Sequence, residues 1–323
     1  SDLKGVLSKG SSYLSQLADI QAIAFDKTGT LTKGKPEVTN HYFTDSMDEE
    51  EIIDIVVALE KNSNHPLADA ILRKFEPKNQ LSIEVENQIG KGLSGDYNGR
   101  KYRIGKPTSF DDVSDEYVRL NNQWASEGKT VVYLAVDEEV IGLIALMDVP
   151  SKYAKETIEY FKKQGIHTTL ITGDSEMTGK AVASKLGIDE VIANVMPDEK
   201  SKIIDKQKEK YGVTAMVGDG VNDAPALVNA DVGIAMGDGT DVAVEVSDLV
   251  LMQNNLTKLT QSHKISTKMN RLIWQNIIFS MAVVAFLIIV SLVGLTDIAI
   301  SVIVHEGSTL VVILNGLRVL NSK

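Results

Sequence analysis

Residues 22–32 read AIAFDKTGTLT. The first five form a short, wholly apolar run closed by Asp26, followed at once by a Gly- and Thr-rich turn. A run of this kind reads as a strand buried on both faces, and in open α/β sheets the reactive groups lie at the carboxyl ends of such strands. A lone Asp in that place is ordinarily a turn or cap residue; the rest of the chain changes that reading. HTTLIT (167–172) runs into Thr172-Gly173-Asp174, VTAMV (213–217) runs into GDGVNDAPAL (218–227), and VGIAM (232–236) follows. Helical patterns at about 152–164, 176–186 and 198–210 separate these strands, which predicts a doubly wound parallel sheet of the α/β class. Lys200 closes PDEK, residues 197–200, at the start of one of those helices.

Each of these elements suits phosphoryl transfer. A carboxylate nucleophile at Asp26 needs the charge of the incoming phosphoryl group neutralised. Asp219 and Asp223, together with Asp26, offer hard oxygen ligands for Mg²⁺. Lys200 can offset charge on the phosphoryl oxygens, and Thr172 with nearby backbone N–H groups can donate to them. Any one element alone is a weak signal, but four in this order, each at a strand end or helix start, are specific.

Between the first strand and the others lies a stretch of different texture, residues 38–145. It shows a helix pair around 48–75, then Gly-rich hairpin material and the strands VVYLAV (131–136) and VIGLIAL (140–146), and is expected to be an inserted α+β domain. GKGLSG (90–95) matches a dinucleotide fingerprint, but DYNGRKYRIG follows where a helix is required, so it reads as strands. GDSEMTGK (173–180) is one residue too long for a phosphate-binding loop and has Ala181 in place of Ser or Thr.

The chain has 323 residues, 43% hydrophobic and 24% charged, with 33 Lys+Arg against 44 Asp+Glu for a net charge of -11. That balance excludes a wholly disordered chain and argues against a broad nucleic-acid-binding surface. No cysteine is present, so neither a disulfide framework nor a thiolate metal site is available. The opening Ser-Asp-Leu-Lys carries no secretory signal and suggests a piece of something longer. From Leu272 to Thr296 there is no charged residue, and Asn276 to Leu295 is long enough, at about 30 Å, to cross a hydrocarbon core. A second run, Ile298 to Leu317, is interrupted by His305 and Glu306. With Asp297 between them, the two runs read as a hairpin of transmembrane helices. Lys258, Lys264, Lys268 and Arg271 before the pair, and Arg318 and Lys323 after it, put both outer ends in the cytoplasm. His305 and Glu306, near mid-membrane, can bind a divalent transition metal, with Ser308 and Thr309 as weaker oxygen donors.

DKTGTLT, TGD, PDEK and GDGVNDAPAL together resemble the signature set of P-type ATPases, whose phosphorylation domain has the haloacid-dehalogenase-like fold. The resemblance covers nearly the whole chain. It implies that ATP phosphorylates Asp26 with Mg²⁺, and places Thr28, Thr172, Gly173, Asp174, Lys200, Asp219, Asn222 and Asp223 around the phosphoryl group, with Asp26, Thr28, Asp219 and Asp223 on the Mg²⁺ side. Residues 60–68, with Ser63, His65 and Pro66, resemble the SxHP element of the heavy-metal subgroup. By that resemblance Glu60 and His65 lie by the adenine, and Gly90 and Gly92 allow close backbone approach. HEGST (305–309) resembles the eighth-span motif of the cobalt or iron(II) subgroup, whereas zinc/cadmium pumps typically show an Asp there.

The expected parse is a stalk at 1–19, a phosphorylation domain at 20–37 and 146–257, a nucleotide-binding insert at 38–145, a second stalk at 258–275, and transmembrane helices at 276–295 and 297–317. The expected function is the catalytic and C-terminal membrane part of a pump that exports cobalt, iron(II) or zinc, in the plasma membrane of a bacterium, with ATP, the cargo metal, lipid and the remaining pump segments as partners. Related phosphatases carry an acid/base Asp two residues after the nucleophile. Thr28 stands there, which predicts a persistent aspartyl phosphate. A membrane-anchored phosphatase and a non-catalytic metal sensor of the same fold are the alternatives.

Overall fold

The computed structural model describes residues 5–63, 65–88, 92–237, 241–294 and 298–319. Its larger sheet has seven strands in the order β1-β13-β12-β11-β2-β9-β10. These are β1 (Val6–Ser8), β2 (Ala22–Asp26), β9 (His167–Ile171), β10 (Glu190–Ile192), β11 (Thr214–Gly218), β12 (Val232–Met236) and β13 (Leu249–Leu251). All neighbours pair in parallel except β1, which runs antiparallel to β13. Every residue of β2 is buried, as an apolar run in a parallel sheet covered on both faces must be. One face holds Ile23, Phe25, Leu170 and Val217, and the other Ala24, Ile171 and Met216.

Helices α5 (Ala154–Lys163), α6 (Glu176–Leu186), α7 (Lys200–Tyr211), α8 (Ala224–Asn229) and α9 (Asp241–Val246) make the crossovers. α6 begins where Ser175 accepts from the Thr178 N–H and ends at Gly187, in the left-handed conformation with φ 80°. The helices predicted from pattern lie within about two residues of α5, α6 and α7. The three-residue strands β1, β10 and β13 carried no readable pattern.

The second sheet is antiparallel, in the order β3-β8-β7-β6-β5-β4. It comprises β3 (Glu37–Phe43), β4 (Val85–Gln88), β5 (Gly92–Tyr97), β6 (Arg100–Gly105), β7 (Thr130–Val136) and β8 (Glu139–Met147). Helices α2 (Glu49–Glu60) and α3 (Pro66–Lys74) cover one face through Ile52, Ile55, Leu59 and Ile71, while α4 (Asp115–Ser126) sets Trp124 against the other. Two chain segments join the sheets side by side. Asp148 accepts from the Thr32 hydroxyl and from the backbone N–H groups of Gly34 and Lys35, and Thr32 bridges Pro150.

The short helix α1 (Ser11–Ala18) packs against α10 (Thr257–Leu292), a single helix of 36 residues, about 54 Å long. Stalk and span, expected as separate segments, are thus one rod. Its first half is gripped: His263 is 3% exposed, meets the rings of Tyr160 and Phe161, and its Nδ1 lies 2.8 Å from the Tyr160 hydroxyl. Past Leu272 the rod presents Ile278, Met281, Phe286, Ile289 and Leu292 outward. Together with α11 (Ile298–Gly316) it meets the length and hydropathy of a membrane span. The two helices are joined by Asn315 Nδ2 donating to Asn276 Oδ1 at 2.8 Å. The turn between them, with Asp297, lies outside the described residues.

Candidate active site

Because β9, β2 and β11 are parallel neighbours, the turns leaving their carboxyl ends converge. Asp26 leaves β2 and is 7% exposed. Lys200, at the start of α7, donates to Asp26 Oδ1 at 2.6 Å and to Asp223 Oδ1 at 2.6 Å. The other oxygen of Asp223 accepts weakly from the backbone N–H groups of Asp219, at 3.3 Å, and Gly220, at 3.4 Å. One carboxylate oxygen from each of Asp26, Asp219 and Asp223 lies within 4.8 Å of the other two. Gly29 makes room for this: its φ is +72°, and its bare α-carbon faces the Asp219 carboxylate.

Crowding sets the proton affinities. Burial, then the neighbouring Asp223, push Asp26 up to about 6 against the pull of Lys200 and Lys27. Burial, then Asp26 and Asp223, push Asp219 up to about 7. For Lys200, burial works to depress the pKa, but the two carboxylates outweigh it and hold the ammonium above its ordinary value. The site therefore keeps one cation among three carboxylates. A hard divalent cation suits that oxygen donor set and would relieve the repulsion felt by Asp219.

The second turn carries Thr172, Gly173 and Asp174. The Thr172 hydroxyl donates to Asp174 Oδ2 at 3.1 Å and accepts from the Asp174 N–H. Asp174 forms an ion pair with Lys27 and accepts from Thr130 Oγ1 at 2.9 Å, and Lys27 also donates to Thr130. Burial would raise the Asp174 pKa, but Lys27 and these hydroxyls outweigh it and hold the carboxyl below its usual range. Thr130 opens β7, so the inserted sheet touches this turn directly. Thr28, in extended backbone two residues past Asp26, makes no side-chain hydrogen bond among the described residues, and Asn222 is exposed at the rim. Lys27 lies inside the DKTGTLT motif, which by itself assigns it no role; for Thr130 and Asp148 no local pattern marks the residue, and only their partners across the chain do.

On the insert, Glu60 ends α2 at 8% exposure, and burial alone lifts its carboxyl to about 7. His65 caps α3, its Nδ1 accepting from the Leu67 N–H at 3.2 Å, with Pro66 as first helical residue. The residue keeps solvent-accessible surface, and partial desolvation, then the charge of Lys106, lower its pKa. Gly92 is needed where it stands, since a Cβ there would lie 2.1 Å from the Ile104 carbonyl oxygen. Gly90 lies outside the described residues.

His305 and Glu306 are exposed on α11, and the described residues bring no third ligand of the His, Cys or carboxylate type to them. The hydroxyls of Ser308 and Thr309 both donate to the His305 carbonyl, at 2.6 and 3.3 Å, so they serve the helix backbone here.

Comparison with known proteins fits this geometry. The haloacid dehalogenase-like hydrolase family matches residues 20–231. The chain is 45% identical to the zinc-transporting ATPase of Bacillus subtilis, over 98% of this chain and 50% of that one. It is 38% identical to the cadmium-transporting ATPase of Staphylococcus aureus, over 99% and 46%. The chain thus spans about half the length of the curated relatives it matches. The crystal structure of a zinc-transporting PIB-type ATPase in the E2.Pi state superposes with a TM-score of 0.69 at 35% identity, covering 98% of this chain and 53% of that one. The catalytic domain of the CPx-ATPase CopB-B superposes at 0.63 with 28% identity, covering 80% and 95%. The chain that carries Asp26, Lys200 and the Asp219–Asp223 turn belongs to the haloacid dehalogenase-like hydrolase family, and over nearly its whole length it corresponds to the C-terminal part of the heavy-metal P-type ATPases.

Proposed function

We propose that this chain is the catalytic and C-terminal membrane part of an ATP-driven pump that exports a divalent heavy-metal cation, and that ATP phosphorylates Asp26. The observation that carries this reading is the bridge from Lys200 to both Asp26 and Asp223 at the carboxyl end of the central strand. A carboxylate oxygen of Asp26 attacks the γ-phosphorus; the bond to the β–γ bridging oxygen breaks and ADP leaves with that electron pair. Lys200 keeps Asp26 ionised at neutral pH and compensates charge as the phosphoryl group arrives. Thr172 and the backbone of Gly173 and Asp174 line the approach, and Asp174 holds Lys27 in place. Asp26, Asp219 and Asp223 would hold Mg²⁺, with Thr28 beside them; when bound it supplies charge neutralisation for the transferring group. Thr28 is no acid/base, so the acyl phosphate persists until the rest of the pump acts on it.

In this reading residues 38–145 bind the nucleotide, with Glu60, His65 and Gly92 beside the base, and 20–37 with 146–257 form the phosphorylation unit. The helices at 257–292 and 298–316 cross the plasma membrane with the sheets on the cytoplasmic side. His305 and Glu306 serve the cargo; borderline imidazole and hard carboxylate suit zinc, cobalt and iron(II). Zinc is favoured by the name of the Bacillus relative, cobalt or iron(II) by the HEGST resemblance.

Acid-quenched labelling with γ-labelled ATP tests the reaction. A hydroxylamine-sensitive label that Asp26→Asn abolishes is the expected result. ATP binding without label, in the full-length protein with a panel of metals, would replace the pump by a sensor; faster release of phosphate from a small phosphomonoester than from ATP would replace it by a phosphatase. Stimulation by one metal, lost in His305→Ala, identifies the cargo.

A further inference from the structure

We propose that Lys106 is a ligand of the nucleotide's phosphate chain, delivered from the inserted sheet to the turn after β9. This role rests on the nucleotide reading above and adds to it a residue that no motif marks.

Lys106 directly follows β6, whose last residue, Gly105, is the register partner of Gly92 in β5. A Cβ on Gly92 would lie 2.6 Å from the Gly105 α-carbon, so the two backbones touch, and Lys106 leaves the sheet beside them. Its ammonium then crosses to the other sheet and donates to the Gly173 carbonyl at 2.9 Å. Gly173 lies between Thr172 and Asp174, in the turn that faces Asp26. Lys106 thus stands between the proposed base pocket and the proposed phosphoryl turn, the interval that the phosphates must cross.

Among the described residues no carboxylate lies within ion-pair distance of Lys106, although the chain as a whole carries a net charge of -11. Lys27, the other cation at this turn, is committed to Asp174. The field of Lys106 also reaches His65, where it ranks next after burial in lowering the pKa. An exposed ammonium resting on a neutral carbonyl exchanges that contact readily for a phosphate oxygen. The carbonyl can turn to water, and a bond between full charges is the stronger of the two.

The test is nucleotide titration of the 323-residue chain in lipid nanodiscs, comparing Mg·ATP, Mg·ADP and adenosine for wild type, Lys106→Gln and Lys106→Arg. Lys106→Gln is expected to weaken ATP and ADP about tenfold and to leave adenosine within about twofold. Lys106→Arg, which keeps the charge, should stay within about threefold of wild type for all three. Unchanged ATP affinity in Lys106→Gln overturns the assignment. So does an equal loss for adenosine, which would make Lys106 a structural strut between the sheets. A wild-type chain that binds none of the three overturns the nucleotide reading and this role with it.

Discussion

A Cβ on Gly29 would lie 1.6 Å from Oδ2 of Asp219. Two turns from distant parts of the chain therefore share one space, and only a residue without a side chain lets both keep their places. Gly29→Ala must move the Asp219 carboxylate, and the left-handed backbone, φ +72°, adds a strain of about 1–2 kcal/mol. The expected outcome is at least a hundredfold loss of phosphoenzyme in a chain that still melts cooperatively. Retention of labelling would mean that Asp219 has another productive position.

Asp219 and Asp26 make the apo chain pH-sensitive in a defined direction. Both pKa values are raised in the folded state, to about 7 and about 6, from an ordinary 3.8. Below about pH 4 both states are protonated. Between there and pH 7 the folded chain holds protons that the unfolded chain has released, so this contribution to stability is lost as pH rises. Asp219→Asn removes the larger share. It should melt above wild type at pH 8, by about 5 °C, with the gap closing at pH 5. Adding Mg²⁺ at pH 8 should raise the wild-type midpoint more than that of the variant. A gap that stays constant across this range would show that Asp219 ionises freely.

Lys200→Met leaves the buried carboxylates of Asp26 and Asp223 facing each other without a cation. Breaking such a cluster from one side destabilises by about 3–5 kcal/mol. Labelling should vanish, and denaturant melts at pH 7.5 should register the loss. The double variant with Asp26→Asn should recover part of that stability, a non-additivity expected only for residues in direct contact.

The grip on the long helix is testable at His263. Truncation to Ala empties a buried place against Tyr160 and Phe161 and strands the Tyr160 hydroxyl. A loss of about 2–4 kcal/mol is expected in thermal or denaturant melts. Tyr160→Phe, which removes one hydrogen bond and keeps the ring, should cost about 1 kcal/mol. Equal effects would place the grip in the hydrogen bond rather than in ring packing.

The strand Ala22–Asp26 was legible because a buried parallel strand is a continuous apolar run, and such a run needs no partner to be recognised. α6 was legible because Ser175 and Gly187 mark its ends by local backbone chemistry. The three residues of Leu249–Leu251 carry too little pattern to stand out, and β1 forms only because that edge is there to pair with. Lys106 and Thr130 were invisible for a related reason: each is an ordinary residue at the edge of a strand until a turn some 40 or more positions away meets it.

Residue order alone was enough for the sheet class, the carboxylates and the ammonium available at the strand ends, and two apolar stretches long enough to cross a bilayer. Backbone period, turn chemistry and hydropathy act between near neighbours, so they can be read along the chain. Only the tertiary structure shows that Lys200 serves Asp26 and Asp223 at once, that burial beside Asp26 and Asp223 raises the proton affinity of Asp219, and that Lys106 reaches the Gly173 carbonyl with no ion-pair partner among the described residues. Those are matters of distance through space, and the Coulomb energy between two charges depends on that distance and on burial, not on their separation in sequence.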